Sequence, residues 1–206
     1  MGSLNSSDMF CRALASEGNV NVISVEYPLA PENPFPAAIN ICKDAVKYIC
    51  SKAVEMGSSP NLISLGGEGA GGNLVLATYE SLSDDIAIKS LILYYPLIKT
   101  TGTLNPEMKR KFGRGYGFDS RLWEVFVEAY QGKEVEFKKL LPPTLMISAG
   151  RDIIYDEATD FVSHHKEIEF VEFEGGLHGF LSDGQQKTAF NKAVEITDSF
   201  LNSLKE

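Results

Sequence analysis

The chain has 206 residues, 44% of which are hydrophobic, and it carries a formal net charge of −9. This length and apolar content can support one sizeable core, so we expect a single domain over residues 1–206. The acidic balance argues against a nucleic-acid partner, because nucleic-acid binding needs a basic surface for the phosphates. No apolar run reaches the length of a membrane span, and the three cysteines lack zinc-binding spacing, which favours a soluble cytoplasmic protein with reduced thiols.

The first part of the chain predicts helices that alternate with buried strands. Apolar spacing predicts a helix over Ser6–Ala15, capped by a serine at its start. The β-branched run Val20–Tyr27 then predicts a strand that is buried on both faces. Four prolines exclude regular structure in the next segment until Pro36, which can open a helix that reaches about Met56.

The most informative stretch is Asn61–Leu76, with the sequence NLISLGGEGAGGNLVL. An apolar run over Leu62–Leu65 ends at a cluster of glycines and is followed by a helix-compatible segment, which predicts a strand, a sharp turn and a helix. Such a turn either binds a phosphate or raises one side chain above a sheet. The phosphate interpretation is weak, because no Lys-Ser or Lys-Thr pair follows the glycines. The nucleophile-elbow pattern G-x-S-x-G fits residues 67–71, except that Gly69 stands at the serine position.

Strands continue to alternate with helices along the rest of the chain. Residues 97–141 are less regular, and an insertion of this kind predicts either a cap or a solvated connection. The whole pattern predicts an α/β fold with a mostly parallel sheet and helices on both faces. The further strands are predicted over Lys89–Tyr95, Pro143–Ala149 and, as an edge strand, Glu167–Phe173, and the further helices over Leu122–Tyr130, Asp156–His165 and Gln186–Leu204.

Three residues with potential chemistry follow predicted strand ends, in the order Gly69, Asp152, His178. The carboxyl ends of parallel strands form one edge, where such folds build their sites. The order matches the nucleophile, acid and histidine of α/β-hydrolases, in which the histidine takes the hydroxyl proton and the acid holds the imidazole. Two plainer interpretations stay open: an ordinary loop histidine, and a helix-capping role for Asp152, for which Asp156 competes. The histidine spacing does not predict a metal site.

Four segments carry a more specific resemblance. They are YPLAPE with PFPAA over residues 27–38, GGEGAGGN over 66–73, AGRD with DE over 149–157, and HGF over 178–180. Together they resemble the hormone-sensitive-lipase-like group of α/β-hydrolases, whose members show YRLAPE…PFPAA, GDSAGGN, AGxDxxxDE and HGF in this order. The resemblance covers nearly the whole chain. It implies hydrolysis of small carboxylic esters without a cofactor or metal, with Asp152 and His178 as catalytic residues and the backbone N–H of Ala70 as an oxyanion donor.

The sequence departs from that group in several places. Gly69 replaces the nucleophilic serine, Glu68 the usual aspartate, and Pro28 an arginine. The HGGG segment and the strand before it are missing, so the resemblance implies an α/β-hydrolase fold that is truncated at its N-terminus and has a short cap. Three hypotheses address the missing strand: direct pairing of Val22–Val25 with Ile63–Leu65, a gap filled by another chain, or an incomplete piece of a longer protein.

Loss of the nucleophile decides the functional expectation. Removal of the nucleophile of a catalytic triad typically lowers kcat by about 10⁶. We therefore expect a carboxylesterase or lipase type of hydrolase that is inactive or severely impaired as written, with a small acyl ester as its ligand. The alternatives are a non-catalytic protein that binds a small ligand in the old acyl pocket, and a fragment without an independent role.

Overall fold

A computed structural model describes residues 2–18, 20–133 and 137–204. Its single sheet has four parallel strands in the order β1-β2-β3-β4, namely β1 (Ser64–Glu68), β2 (Ser90–Tyr94), β3 (Thr144–Arg151) and β4 (Ile168–Leu177). The described residues also form seven α-helices: α1 (Leu4–Glu17), α2 (Ala37–Lys52), α3 (Ala70–Ser81), α4 (Pro106–Phe112), α5 (Ser120–Tyr130), α6 (Tyr155–His164) and α7 (Lys187–Ser203). The predicted α/β fold with a parallel sheet is confirmed.

Strand β2, one of the two inner strands of the sheet, is buried on both faces. Leu91 and Leu93 belong to a core shared with α3 and α6. Ile92 and Tyr94 belong to a second core, shared with α1 and α7. Because successive side chains of a strand point to opposite faces, one layer of helices covers each side of the sheet, as predicted.

The predicted strand over Val20–Tyr27 is wrong, because this segment has no regular secondary structure. Its β-branched residues favour a strand, but a strand also needs a neighbour with which to pair. Among the described residues, no backbone hydrogen bond joins the segment to β1. The hypothesis of direct pairing between Val22–Val25 and Ile63–Leu65 is therefore wrong as well, and the other two hypotheses stay predictions.

Several predicted boundaries shift. The elbow strand begins at Ser64 and not at Leu62, because Pro60–Leu62 forms a short 3₁₀ turn. Helix α1 is capped by Ser3 and not by Ser6 or Ser7, since the Ser3 side chain accepts a hydrogen bond from the Ser6 N–H. Strand β4 is an edge strand, as predicted, and it continues to Leu177, directly before His178.

The insertion at residues 97–141 packs on the carboxyl edge of the sheet; its residues 134–136 lie outside the described part. Leu97, Phe118 and Trp123 share a core with Ile153 and Ile154, which follow β3. The insertion is therefore placed over the edge at which the predicted site residues lie.

A buried hydroxyl pair joins the sheet to α7. The hydroxyl oxygens of Tyr94 and Thr197 are 2.8 Å apart, and the Thr197 residue is fully buried. Burial also raises the pKa of Tyr94, so both groups are neutral hydroxyls at ordinary pH. Each hydroxyl depends on the other, because an unpaired buried polar group destabilises a fold.

We expect Thr197→Val to lower the free energy of unfolding by about 1–3 kcal/mol, because it leaves the Tyr94 hydroxyl buried without its partner. The double variant with Tyr94→Phe should lose less than the sum of the two single losses, since no buried hydroxyl is then left unpaired. Urea denaturation of the four proteins measures these differences. Strictly additive losses would contradict the coupling.

Candidate active site

The turn after β1 is fixed to the end of β2. Gly69 lies between β1 and α3 with φ 53° and ψ −115°. Its N–H donates to the Tyr94 carbonyl at 3.0 Å, and its carbonyl accepts from the Leu97 N–H at 2.9 Å. The positive φ favours glycine, since a side chain at such a backbone conformation is strained.

A second glycine of the turn serves close packing. A Cβ placed on Gly72 would lie 2.7 Å from the Cβ of Pro96, which follows β2. Any side chain there would push α3 away from the end of the neighbouring strand. The glycine cluster therefore does what the sequence predicted, because it brings strand and helix close together.

Asp152 and His178 form a short hydrogen bond at the carboxyl edge of the sheet. The Asp152 Oδ2 and His178 Nδ1 atoms are 2.6 Å apart, and only 1% of the Asp152 side chain is exposed. The other carboxylate oxygen, Oδ1, accepts from the Ile154 N–H at 3.2 Å. Because a carboxylate can only accept, His178 donates through Nδ1, and Nε2 of the neutral ring is left as a proton acceptor.

The helix-capping interpretation of Asp152 needs a correction. The residue at the N-cap position of α6 is Ile154, whose side chain cannot cap. Asp152 accepts from the N–H of Ile154, the residue directly before α6, and binds His178 with its other oxygen. Asp156, expected to compete for the cap, lies inside the first turn of α6 and accepts from the Asn105 side-chain amide at 2.7 Å.

Residue 69 faces Nε2 of His178, the ring nitrogen that is not bound to Asp152. A Cβ placed on Gly69 would lie 3.1 Å from His178 Nε2 and 3.5 Å from Cε1. The structure thus brings Gly69, His178 and Asp152 together as successive neighbours, in the order nucleophile position, imidazole and carboxylate. The first atoms of a short side chain at position 69 would therefore face His178 Nε2, the proton acceptor.

Aromatic side chains hold the His178 ring from two sides. Phe118 stacks on it with ring centroids 4.9 Å apart and an interplanar angle of 29°. The Tyr95 ring lies at 5.1 Å with a tilt of 58°. Next to Phe118, Gly117 has φ 87°, and a Cβ there would overlap the His178 carbonyl. The insertion is therefore in direct contact with the imidazole, so it restricts the orientations that the ring can adopt.

A second polar cluster fixes the end of β1. The Glu68 carboxylate accepts from the hydroxyls of Ser7 at 3.0 Å and Ser182 at 2.5 Å, and also from the Tyr95 hydroxyl. The Tyr95 oxygen in turn accepts from the Leu181 N–H at 3.3 Å. Burial and the neighbouring Glu68 charge raise the pKa of Tyr95 well above its usual value. This cluster ties the elbow to α1 and to the turn after His178, and no pattern in the sequence predicted it.

The first turn of α3 offers unpaired donors. Within the described part of the chain, the N–H groups of Ala70 and Gly71 have no hydrogen-bond acceptor. Free N–H groups and the positive end of the helix dipole at this position can stabilise a negative oxygen. The predicted oxyanion donor, the N–H of Ala70, therefore lies beside Gly69 and is free to donate to such an oxygen.

The residues that the structure describes contain no cluster of three or more histidine, cysteine, aspartate or glutamate side chains suited to a metal ion. Over the same residues, none of the helices has both the length and the apolar character to cross a bilayer.

A buried carboxyl group lies behind the Asp152 loop. Glu157, in the first turn of α6, accepts a hydrogen bond from the Lys99 N–H at 3.1 Å, which ties the helix to the start of the insertion. Burial raises its pKa from 4.5 to about 7, despite the lowering effect of that hydrogen bond and of the Lys99 charge. The folded protein therefore holds a proton that the unfolded chain releases at lower pH.

We expect the free energy of unfolding to fall as the pH rises from about 4.5 to about 7, because only the unfolded chain loses the Glu157 proton in that range. Glu157→Gln keeps the acceptor for Lys99 but cannot ionise. Its free energy of unfolding, relative to the parent, should rise by about 2–3 kcal/mol between pH 5 and pH 8.

Urea denaturation across this pH range measures the difference, and Glu169→Gln, at an exposed position on β4, is the matched control. A constant offset between Glu157→Gln and the parent at every pH would show that Glu157 titrates normally.

Comparison with known proteins gives one consistent result. A family model described as alpha/beta hydrolase fold matches residues 1–182. An ethyl acetate hydrolase of Pseudomonas putida is 27% identical over 203 residues, which cover 89% of this chain and 63% of that protein. An arylesterase of Saccharolobus solfataricus is 28% identical over 214 residues, covering 95% of this chain and 69% of that protein.

The structural comparison agrees. An esterase of Pyrobaculum calidifontis is similar with a TM-score of 0.88 and 28% identity, over 99% of this chain and 72% of that chain. Three curated relatives match most of this chain. The chain in turn covers only 58% to 69% of the length of those relatives.

Proposed function

Because this chain belongs to the alpha/beta hydrolase fold family, as its motifs predicted, we propose that its Asp152 and His178 pair is the retained part of a carboxylesterase acyl-transfer centre. The relatives of the chain include an ethyl acetate hydrolase and an arylesterase. The proposed substrates are accordingly small carboxylic esters. The chain as written lacks the attacking hydroxyl, so its ester hydrolysis is absent or severely impaired.

One observation supports this proposal above the others. The His178 Nε2 atom faces the position that the first side-chain atom of residue 69 would occupy, at 3.1 Å. The opposite ring nitrogen is held by a buried carboxylate at 2.6 Å. An ordinary loop histidine has no need of a buried acidic partner on one side and an open nitrogen on the other.

The geometry defines what each group would do with a hydroxyl at position 69. His178 Nε2 would take the hydroxyl proton as the oxygen attacks the ester carbonyl, and Asp152 would stabilise the imidazolium that forms. The Ala70 N–H would donate to the developing oxyanion. His178 would then return the proton to the alcohol that leaves, and a water molecule would release the acyl group by the same steps.

Without that hydroxyl, little of this chemistry remains. His178 can still act as a general base toward water, but general-base assistance alone contributes only about 10²–10⁴-fold. Ser64 is no substitute, since it lies on β1 with its hydroxyl 2.7 Å from that of Ser90. Glu68 is engaged by three hydroxyls and is no substitute either.

We expect Gly69→Ser to raise kcat for a short-chain chromogenic ester by about 10³–10⁴ over the parent. The estimate takes a factor of about 10⁶ for a nucleophile and divides it by about 10²–10³ for an oxyanion hole that has lost donors. The new side chain must accept a positive φ, and the imidazole must shift by a few tenths of an ångström.

Gly69→Ala is the matched control, because it introduces the same Cβ and the same backbone strain without a hydroxyl. Gly69→Ser combined with His178→Ala tests whether the gained activity uses the imidazole. Equal rates for the serine and alanine variants, both folded by circular dichroism, would refute the proposed centre.

The second candidate function is a protein that binds a small ligand at the same edge without turnover. It is favoured by one observation, that Phe118 and Tyr95 enclose the imidazole while the N–H groups of Ala70 and Gly71 stay free. We expect short-chain carboxylates such as butyrate to raise the melting temperature of the parent chain if it acts in this way. Ala70→Pro, which removes one donor, should abolish the shift, and a parent with no shift at saturating ligand would exclude this function.

The proposed location is the cytoplasm. Its support is the state of the cysteines, since Cys11, Cys42 and Cys50 are all free thiols. Proteins of oxidising compartments more often pair such residues.

A further inference from the structure

A basic surface lies on the insertion, beside the candidate active site. Residues 106–121 contain five of the 19 lysines and arginines of the chain but only two of its 28 acidic residues. The whole chain carries a net charge of −9, so this segment is a local exception. Its five cations are all exposed and together form the basic face: Lys109, Arg110, Lys111, Arg114 and Arg121.

Contacts between α4 and α5 bring these cations together. The carbonyl of Gly113, directly after α4, accepts from the N–H of Ser120, the first residue of α5, at 3.1 Å. One turn earlier in α4, Lys109 Nζ lies 2.9 Å from Glu124 Oε1 of α5. The last turn of α4 therefore lies against the first turns of α5, and the cations of the two helices share one surface.

Two of the five cations have no ionic partner. Within the described part of the chain, Arg110 and Arg114 form no ion pair, and both are exposed. A free guanidinium group presents a planar set of N–H donors that fits a carboxylate in a bidentate manner. The other three cations are paired with nearby carboxylates: Lys109 with Glu124, Lys111 with Glu107, and Arg121 with Asp119.

The helix dipole accounts for only part of this charge. Cations are favoured in the last turn of a helix, where Lys109, Arg110 and Lys111 lie in α4. Arg114 lies outside the helices, and Arg121 lies in the first turn of α5, where the dipole favours the opposite charge. The accumulation of positive charge therefore exceeds what the stability of the two helices requires.

The basic face is carried by the segment that contacts the imidazole. Phe118, which stacks on His178, lies between Arg114 and Arg121 in the chain, and Gly117 packs against the His178 carbonyl. Arg114 precedes Gly117 by three residues, which span at most about 11 Å of extended chain. The face is therefore within reach of a small molecule whose ester group lies at His178.

Electrostatic attraction gives the face an effect that does not need a fixed contact. An acidic protein repels anions in general, whereas a local positive surface attracts them and raises their local concentration. The screening length is about 10 Å at an ionic strength of about 0.1 M. The separation between the face and the imidazole is of that order, so the positive potential of the face extends over the site.

We propose that the basic face selects esters that carry a second, anionic group, of which half-esters of dicarboxylic acids are the simplest. The proposal rests on the proposed acyl-transfer centre, because it names the substrates of that centre. The ester group lies at His178 and the Ala70 N–H, while the anionic group lies at Arg110 and Arg114. A small ester fits the face better than an extended anionic surface, because only two guanidinium groups are left unpaired.

The first test compares two esters in the Gly69→Ser variant. The para-nitrophenyl esters of adipate and hexanoate have acyl chains of the same length, and only the adipate chain ends in a carboxylate. We expect Arg110→Gln with Arg114→Gln to lower kcat/KM for the adipate ester about tenfold relative to the hexanoate ester, and high salt to have a similar effect in the variant that keeps both arginines.

The matched control is Lys89→Gln with Lys166→Gln, which removes the same charge. These lysines lie directly before β2 and two residues before β4, at the opposite edge of the sheet from His178, so the ratio of the two esters should not change. A second pair of substrates, ortho-nitrophenyl butyrate and its ring-carboxylated analogue, places the charge on the alcohol. A preference for the anion in the first pair assigns the face to the acyl group, and a preference in the second pair assigns it to the alcohol.

A binding measurement on the parent chain separates this proposal from the proposed function. Adipate carries a second carboxylate that hexanoate lacks, so it can contact both the free N–H group of Ala70 and the basic face. We expect adipate to raise the melting temperature by more than hexanoate does at the same concentration and ionic strength. The difference should disappear in the arginine variant and persist in the lysine control.

The outcomes are distinct. If Gly69→Ser hydrolyses none of the esters, the acyl-transfer centre is refuted, and the melting temperatures still decide whether the face binds an anion. Equal effects of the arginine and lysine variants, or no preference for the anion in any comparison, would overturn the proposal. So would binding to phosphatidylserine vesicles that depends on the two arginines without any preference for adipate, since the partner would then be a membrane surface.

Discussion

The hydrogen bond between His178 and Asp152 is the interaction on which the rest of the site depends. It joins a residue directly after β4 to a residue directly after β3, and the carboxylate is almost completely buried. A buried carboxylate is stable only when its oxygens are paired, and here the imidazole and the Ile154 N–H supply both partners. The fold thus has a structural reason to keep the ring in one orientation, with Nε2 directed at position 69.

The sequence allowed the edge of the sheet to be predicted well, because its physics is simple. Buried apolar runs ended at Gly69, Asp152 and His178, and parallel strands bring their carboxyl ends to a common edge. Glycine density correctly predicted the close approach of β1 and α3, where Gly72 touches Pro96. These conclusions needed only local patterns and one rule of topology, and their success does not depend on knowing the side-chain packing.

The features that could not be predicted from the sequence are contacts between residues that lie far apart along the chain. Phe118 stacks on His178, but an aromatic residue inside an irregular insertion has no pattern that would reveal its partner. The strand prediction for Val20–Tyr27 was wrong for a related reason: its composition favours a strand, but no strand among the described residues pairs with it. Residues 97–141 left a cap and a solvated connection equally open, because length alone says nothing about where an insertion packs.

The carboxylate of Glu68 accepts hydrogen bonds from the hydroxyls of Ser7, Tyr95 and Ser182. These residues lie 61, 27 and 114 positions away from Glu68 along the chain, respectively. Contacts of such long sequence separation are slow to form, because the loops between them must close first. The elbow should consequently be one of the last regions to become ordered during folding, after helix α1 and the C-terminal turns have docked. A mutation near either end of the chain would then impair the active site by weakening the cooperative ordering of the elbow. The reacting groups themselves would be unchanged.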